Sequence, residues 1–251
     1  MARIPAIVAY GDRLRKGLAL VRPKLDPSVS TAANFLYMLK GKEATAVEVQ
    51  MLDKYFTLLT EHDLNASTFA ARVVASTESD MYSAISAAVG ALKGDLHGSA
   101  NSRAMESIIA IGDVNNTEKY VNEAFAAKKQ FMGFGHRVYK GHDPRAADLK
   151  EMAKTLAQSN ADQAKWYAIS ESLEHAVWEK KQLYCNVDFY SASVLYTIGI
   201  PIDLFTTLFA ISRMSGWTAH LLEQYTDNRL LRPVSLYVGK PPRNYASIDR
   251  R

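Results

Sequence analysis

Residues 133–145 read Gly-Phe-Gly-His-Arg-Val-Tyr-Lys-Gly-His-Asp-Pro-Arg and gather residue types that bind anions and move protons. The glycines let the backbone bend and come close to a ligand, because no Cβ stands in the way. His136 and His142 can trade protons near neutral pH. Arg145 offers a planar fork that matches a carboxylate or a phosphate. The segment is expected to hold an anionic small molecule on which proton chemistry is done.

Three more positions could take part in such chemistry. His97 lies in Gly94-Asp95-Leu96-His97-Gly98-Ser99, just before an expected helix. The partial positive charge of a helix N-terminus disfavours imidazolium, and a neutral imidazole can donate a hydrogen bond to a carbonyl turning into an enol. The alternative is that His97 caps a turn. Asp188, in Asn186-Val187-Asp188-Phe189, has apolar and aromatic neighbours that should raise its pKa and make it a competent base. An N-cap for the following helix fits Asp188 equally well. Arg213 stands in the apolar run Ala210–Trp217, where a guanidinium needs a partner to offset its desolvation. His97, His136, His142 and Asp188 could be imagined as metal ligands. The chain has no H-x-x-E-H, no C-x-x-C and no paired His on a helical face, so no metal is expected.

The elements that must position these residues read as helices almost throughout. Thr45 and Glu48 form a capping box, and Val49, Leu52, Tyr55, Phe56 and Leu59 then share one face. Residues 66–92, rich in Ala, Ser and Val, read as one buried helix stopped by Gly94. Further helices are expected over 99–111, from Asp143-Pro144 onward, and over 161–181 with Trp166, Ile169, Leu173, Val177 and Trp178 as its ridge. Two more span 189–198 and 202–225, and only Val234–Val238 alternates like a strand. The fold class is all-α. His175 and His220 lie on helices and read as packing residues; His142 reads as an exposed loop residue.

Composition bounds the rest. The chain has 251 residues, 48% hydrophobic and 22% charged, as in an ordinary globular protein of one large or two modest domains. No apolar run approaches the roughly 20 residues needed to cross a bilayer, and the first residues lack a secretory apolar core. The single cysteine, Cys185, excludes an intrachain disulfide framework and suits a reducing cytoplasm. The net charge is +4, but the Lys and Arg residues are scattered among acids. That pattern argues against nucleic acid and suits polyanionic metabolites.

Three blocks, GFGHRVYKGHDPR, Leu96–Asn101 (LHGSAN) and Asn186–Ser191 (NVDFYS), resemble the citrate synthase family in its order and spacing. The similarity runs from about Ile4 to the C-terminus, and the family's N-terminal segment has no counterpart in these 251 residues. The resemblance implies a two-domain helical fold, with an incomplete large domain at 1–97 and 205–251 and a small domain at 98–204. It implies a homodimer, no cofactor beyond the coenzyme A thioester itself, and condensation of acetyl-CoA with oxaloacetate to citrate. By the same resemblance His97 polarises the thioester carbonyl, Asp188 removes the methyl proton and His136 protonates the keto oxygen. His62, Arg145, Arg213 and Arg232 would bind oxaloacetate, the last from the other subunit, and Lys140 would meet a coenzyme A phosphate unless it is merely a solvated loop lysine.

The nearest alternative is a 2-methylcitrate synthase acting on propionyl-CoA, against which Arg137 leans weakly. The alternative from another class is a truncated, non-catalytic homologue or a subunit needing a partner chain. Departures from the family pattern are Ser99 for Gly, Cys185 for Pro and Leu59 for His, none of which removes a reacting group.

Overall fold

In a computed structural model, residues 1–136 and 138–250 are described; Arg137, one of the residues singled out above, lies outside them. The described residues form eleven α-helices: α1 (Arg3–Arg15), α2 (Thr31–Lys40), α3 (Ala46–Leu58), α4 (Ala66–Ser76), α5 (Met81–Leu92), α6 (Ala100–Ile111), α7 (Thr117–Ala126), α8 (Pro144–Ser159), α9 (Ala164–Lys181), α10 (Val187–Thr197) and α11 (Phe205–Thr226). Among them no sheet forms, only an isolated antiparallel bridge between Phe134 and Cys185. The all-α expectation holds.

Local chemistry sets the boundaries. The Thr45–Glu48 capping box opens α3, and Asp143 caps α8 with Pro144 in its first turn. Residues 66–92 are two helices instead of one. Asp80 accepts from the backbone N–H groups of Tyr82 and Ser83, starting α5 afresh after Glu78 takes a φ of 66°. The two helices share one composition, so periodicity alone does not reveal the break. Val234–Val238 is not a strand either: its residues are exposed and have no neighbouring strand to pair with. On α9, Trp166, Ile169, Leu173 and Val177 are buried, whereas Trp178 turns outward onto the Tyr184 ring at 4.5 Å.

Helices α1–α5 and α11 pack mainly with one another, as do α6–α10, and α3–α8 and α6–α11 contacts join the two groups. Helix α10 is buried on nearly every side, from Val187 to Leu195, against α6, α8 and α9. Its approach to the Gly-rich loop demands a glycine. A Cβ on Gly133 would lie 2.9 Å from the Phe189 Cα, and its φ is +86°. The same loop is laced to the segment before α10: Gly135 N–H donates to the Tyr184 carbonyl and Asn186 N–H to the Gly133 carbonyl, both at 2.8 Å.

Candidate active site

The loops between the two helix groups enclose a cavity of about 970 Å³ whose walls include His62, His97, His136, Arg145, Asp188 and Arg213. Residues far apart in sequence are thus brought to one space, as expected.

His136 is fixed as to proton as well as place. The backbone N–H groups of Val138 and Tyr139 donate to its Nδ1 at 3.0 and 3.1 Å. Nδ1 must therefore be the acceptor, and the ring proton sits on Nε2. Burial lowers its pKa, Asp143 only partly offsets this, and Arg145 adds to it. His136 is a neutral imidazole with an Nε2–H donor.

His97 is held by Ser67, whose Oγ lies 2.8 Å from its Nε2. Ser67 also lies 2.7 Å from the Oδ1 of Asn65, the residue that caps α4, and accepts from Trp217 Nε1 at 3.2 Å. Asn65 Oδ1 can only accept, so the single Ser67 proton goes to Asn65 and His97 Nε2–H donates to Ser67. Turning the Ser67 proton from Asn65 to Nε2 would move the His97 ring proton to Nδ1. The His97 pKa is lowered, as expected from the sequence, but the causes are burial and then the Arg213 charge.

Asp188 does not cap α10. Asn186 does, accepting from the Asp188 N–H at 2.9 Å and donating from Nδ2 to the Gly135 carbonyl at 2.7 Å. Asp188 sits within the first turn as a whole residue only half-buried, but its Oδ1 is sealed from solvent without a hydrogen-bond partner. Burial pushes its pKa up to about 7, with Arg145 and Arg213 pulling down and Asp143 pushing further up. A carboxyl so placed is poised to take a proton at neutral pH.

Arg213, on α11, is 1% exposed. Its Nε donates to the Leu59 carbonyl at 2.7 Å, and the Phe209 ring lies 4.8 Å under the guanidinium. Both Nη groups are buried with no partner. Burial, and then the Arg145 charge, lower its pKa to about 10, so it remains cationic. Close packing of α11 on the His62 loop needs Gly216, since a Cβ there would lie 2.4 Å from the Thr60 carbonyl. Two unsatisfied cationic donors in a cavity wall amount to an anion site.

Arg145 meets Asp143 in a paired contact, Nε to Oδ1 at 3.0 Å and Nη2 to Oδ2 at 2.8 Å, which leaves Nη1 as the nitrogen Asp143 does not engage. Asp143 also accepts from Val187 N–H at 3.0 Å, so one buried carboxylate orients both Arg145 and the start of α10. His62 packs its ring 5.3 Å from that of His136 and 5.8 Å from that of Tyr139. Burial first, then Arg145, Arg213 and His136, hold its pKa down to about 4.

The remaining residues singled out in the sequence lie elsewhere. Lys140 is exposed and lines neither this cavity nor its neighbour. Arg232 is exposed beside Pro233, away from the cavity. His142 is exposed, as expected, with its ring 3.9 Å from that of Tyr184. His175 is not a packing residue; it is exposed, because it faces away from the buried Leu173–Val177 ridge. His220 is tied to Glu61 at 2.7 Å and Glu223 at 3.2 Å, so it anchors the His62 loop to α11.

Sequence reasoning missed Ser67, Trp217, Asp143 and Tyr55. The Tyr55 hydroxyl is buried and unpartnered, its pKa raised by burial and then by the Asp188 charge. It also missed a second cavity of about 620 Å³, which shares Ala100, Met132 and Asn186 with the first and is lined by Lys128, Lys129 and Lys181. The Lys128–Lys129 pair was the available signal. Among the described residues, no group of three His, Cys, Asp or Glu side chains could hold a metal ion, and no helix is long and apolar enough to cross a membrane.

Known proteins match the whole chain. The family profile described as "Citrate synthase, C-terminal domain" covers residues 1–234. Citrate synthase 2 of Bacillus subtilis (strain 168) is 50% identical over 100% of this chain and 66% of its own length. 2-Methylcitrate synthase 2 of Corynebacterium glutamicum is 43% identical, again over 100% of this chain and 66% of that protein. The chain thus spans just under two thirds of the length of these relatives. Among solved structures, a citrate synthase of Thermoplasma acidophilum in a ternary complex with carboxymethyl coenzyme A and oxaloacetate superposes with a TM-score of 0.89 at 40% identity, covering 98% of this chain and 66% of that one. With the profile match, these similarities and the shared all-helical fold, the chain belongs to the citrate synthase family.

Proposed function

We propose that this chain carries the reacting groups of a citrate synthase, joining acetyl-CoA to oxaloacetate and releasing citrate and CoA. The observation that supports this reading above all is the pair of buried, unpartnered groups in one cavity: the Arg213 Nη donors and the Asp188 Oδ1. One calls for a carboxylate and the other for a proton. Oxaloacetate would place a carboxylate against Arg213 and Arg145, with its keto oxygen at the His136 Nε2–H. His62, neutral near pH 7, would add a hydrogen bond. A second copy of the chain would supply Arg232.

Acetyl-CoA enters with its thioester oxygen at His97. Once Ser67 turns its proton from Asn65 to Nε2, the His97 Nδ1–H donates to that oxygen while Asp188 takes a proton from the methyl carbon. Neither a free enolate nor a strong base accumulates. The enol carbon attacks the keto carbon of oxaloacetate, and His136 delivers its Nε2 proton to the new alkoxide. Water then cleaves the citryl thioester, freeing citrate and the CoA thiol. The chemistry calls for no metal or redox cofactor. Coenzyme A phosphates would meet Lys128, Lys129 and Lys181 in the adjoining cavity, with Lys140 a further candidate cation on the His136 loop.

The reading includes two lobes, 1–97 with 205–251 and 98–204, closing on the ligands to exclude water. It also includes a homodimer in the cytoplasm. Exposed Phe69, Tyr82 and Val89 on α4 and α5, and the exposed apolar tail around Leu236, offer the surface a second copy would cover.

The test is release of free CoA thiol by this chain with oxaloacetate and either acetyl-CoA or propionyl-CoA. Faster turnover with acetyl-CoA supports the reading. A preference for propionyl-CoA replaces it with 2-methylcitrate formation, and no turnover by folded protein assigns the chain to the non-catalytic alternative.

A further inference from the structure

Glu174 stands on α9 and does not line the cavity, yet it touches both flanks of the base. Its Oε2 accepts from the Tyr190 hydroxyl at 2.5 Å and from Lys150 Nζ at 2.7 Å. Its Oε1 accepts from the Cys185 thiol at 3.3 Å. Cys185 precedes Asp188 by three residues and is bridged to Phe134 in the His136 loop; Tyr190 follows Asp188 by two. Lys150 stands on α8, so one carboxylate joins α8, α9, α10 and the loop pair behind the cavity. Burial would raise its pKa, but the hydrogen bonds from Lys150, Tyr190 and Cys185 outweigh this and hold it ionised.

The base itself has no comparable anchor. With its Oδ1 unpartnered, the Asp188 carboxyl depends for its place on the backbone that carries it. Asn186 and Asp143 fix that backbone from the N-terminal side, through Asp188 N–H and Val187 N–H. On the other side Tyr190, two residues on, reaches Glu174, and Ser193 meets Ser170 of α9 a turn further along. We propose that Glu174 is a positioning residue for Asp188, holding Cys185 and Tyr190 so that the base and the His136 loop keep one separation. A displacement of about 1 Å at a reacting group can cost up to a hundredfold in rate, so a partial loosening is visible kinetically.

The inference rests on the proposed reaction, and its test separates the two. Steady-state kinetics compare the unsubstituted chain with Glu174→Gln, Tyr190→Phe and the double variant; Tyr190→Phe keeps the ring and removes only the hydrogen bond. Each single variant should lose about tenfold in kcat with KM for oxaloacetate within about twofold. The double variant should lose no more than the larger single loss, because both changes cut one link. Carboxymethyl-CoA, whose carboxyl would face Asp188, should bind Glu174→Gln about tenfold more weakly while free CoA binds as before.

Glu174→Asp, which keeps the charge, should recover kcat toward the parent, and a kcat no better than that of Glu174→Gln would overturn the role. Unchanged kcat in both single variants, additive losses, or equal weakening of carboxymethyl-CoA and CoA would overturn the inference while leaving the reaction standing. An unsubstituted chain that neither turns over nor binds carboxymethyl-CoA overturns both.

Discussion

Arg13 and Arg213 are both buried, 9% and 1% exposed, and are held in opposite ways. Arg13 donates from Nε to the Ala19 carbonyl at 2.5 Å and from Nη1 to the Leu39 carbonyl at 3.0 Å, tying the segment after α1 to the end of α2. Arg213 spends only Nε, on the Leu59 carbonyl, and leaves both Nη groups without a partner in a cavity wall. Residue type and burial are nearly the same. What differs is satisfaction. A buried cation that donates to neighbouring carbonyls stabilises the chain that surrounds it, whereas one with both Nη groups buried and unused lowers stability and is retained where a ligand completes it.

Exchanging each arginine for methionine, which keeps length and loses charge, should separate the two. Arg213→Met should lower kcat/KM several thousandfold, the cost of roughly 5 kcal/mol for removing one partner of a buried charge pair. The folded protein should meanwhile gain about 1 kcal/mol in urea unfolding, since an uncompensated buried charge is gone. Arg13→Met should do the reverse, losing about 2 kcal/mol of stability by orphaning two carbonyls while the folded fraction turns over as before. Equal stability losses in the two variants would break the comparison.

Asp188 extends it to an anion. Asp188→Asn should reduce turnover by about a thousandfold. Because the folded pKa of about 7 lies above the unfolded value, folded protein binds more protons than unfolded between the two, and the ionised group destabilises the fold as pH rises through about 7. Asp188→Asn should therefore be more stable than the parent above pH 7, by roughly 1–2 kcal/mol, and equal to it near pH 4. The parent's kcat should rise with pH through the same range. Denaturant titrations at pH 4 and 8 check the first part and a rate profile the second.

Ser67→Ala should cost about tenfold in kcat, because His97 loses the partner that fixes its tautomer. The smallest effect belongs to His62. Its folded pKa of about 4 lies below the unfolded value near 6.5, so its contribution is complete above pH 6.5 and is lost as pH falls toward 4. His62→Gln should flatten that part of the thermal stability profile.

How much of this was legible in the sequence follows from the range of each interaction. Helix boundaries set by neighbours, such as the Thr45–Glu48 box or the Asp143-Pro144 start, could be read directly. The α4–α5 break could not, because Ala, Ser and Val run on both sides; the polar Thr77–Asp80 cluster was the only cue. His97, His136, Asp188, Arg145, Arg213 and His62 were recognisable by motif, and the fold gathers them in one cavity. The reasons for their chemistry were not legible. The Arg213 charge reaches His97, and Asp143 orients Arg145, through contacts made only on folding. Ser67, Trp217 and Glu174 have no motif of their own and act through partners distant in sequence, and the Tyr55 hydroxyl is buried without one.

The central claim is that Arg213 waits for a substrate carboxylate. Oxaloacetate alone, titrated against the unsubstituted chain and Arg213→Met while thermal unfolding is followed, tests it most directly. The account predicts a concentration-dependent rise in Tm for the unsubstituted chain that is abolished in Arg213→Met, with Arg13→Met still responding. An equal rise in the unsubstituted chain and Arg213→Met would contradict it.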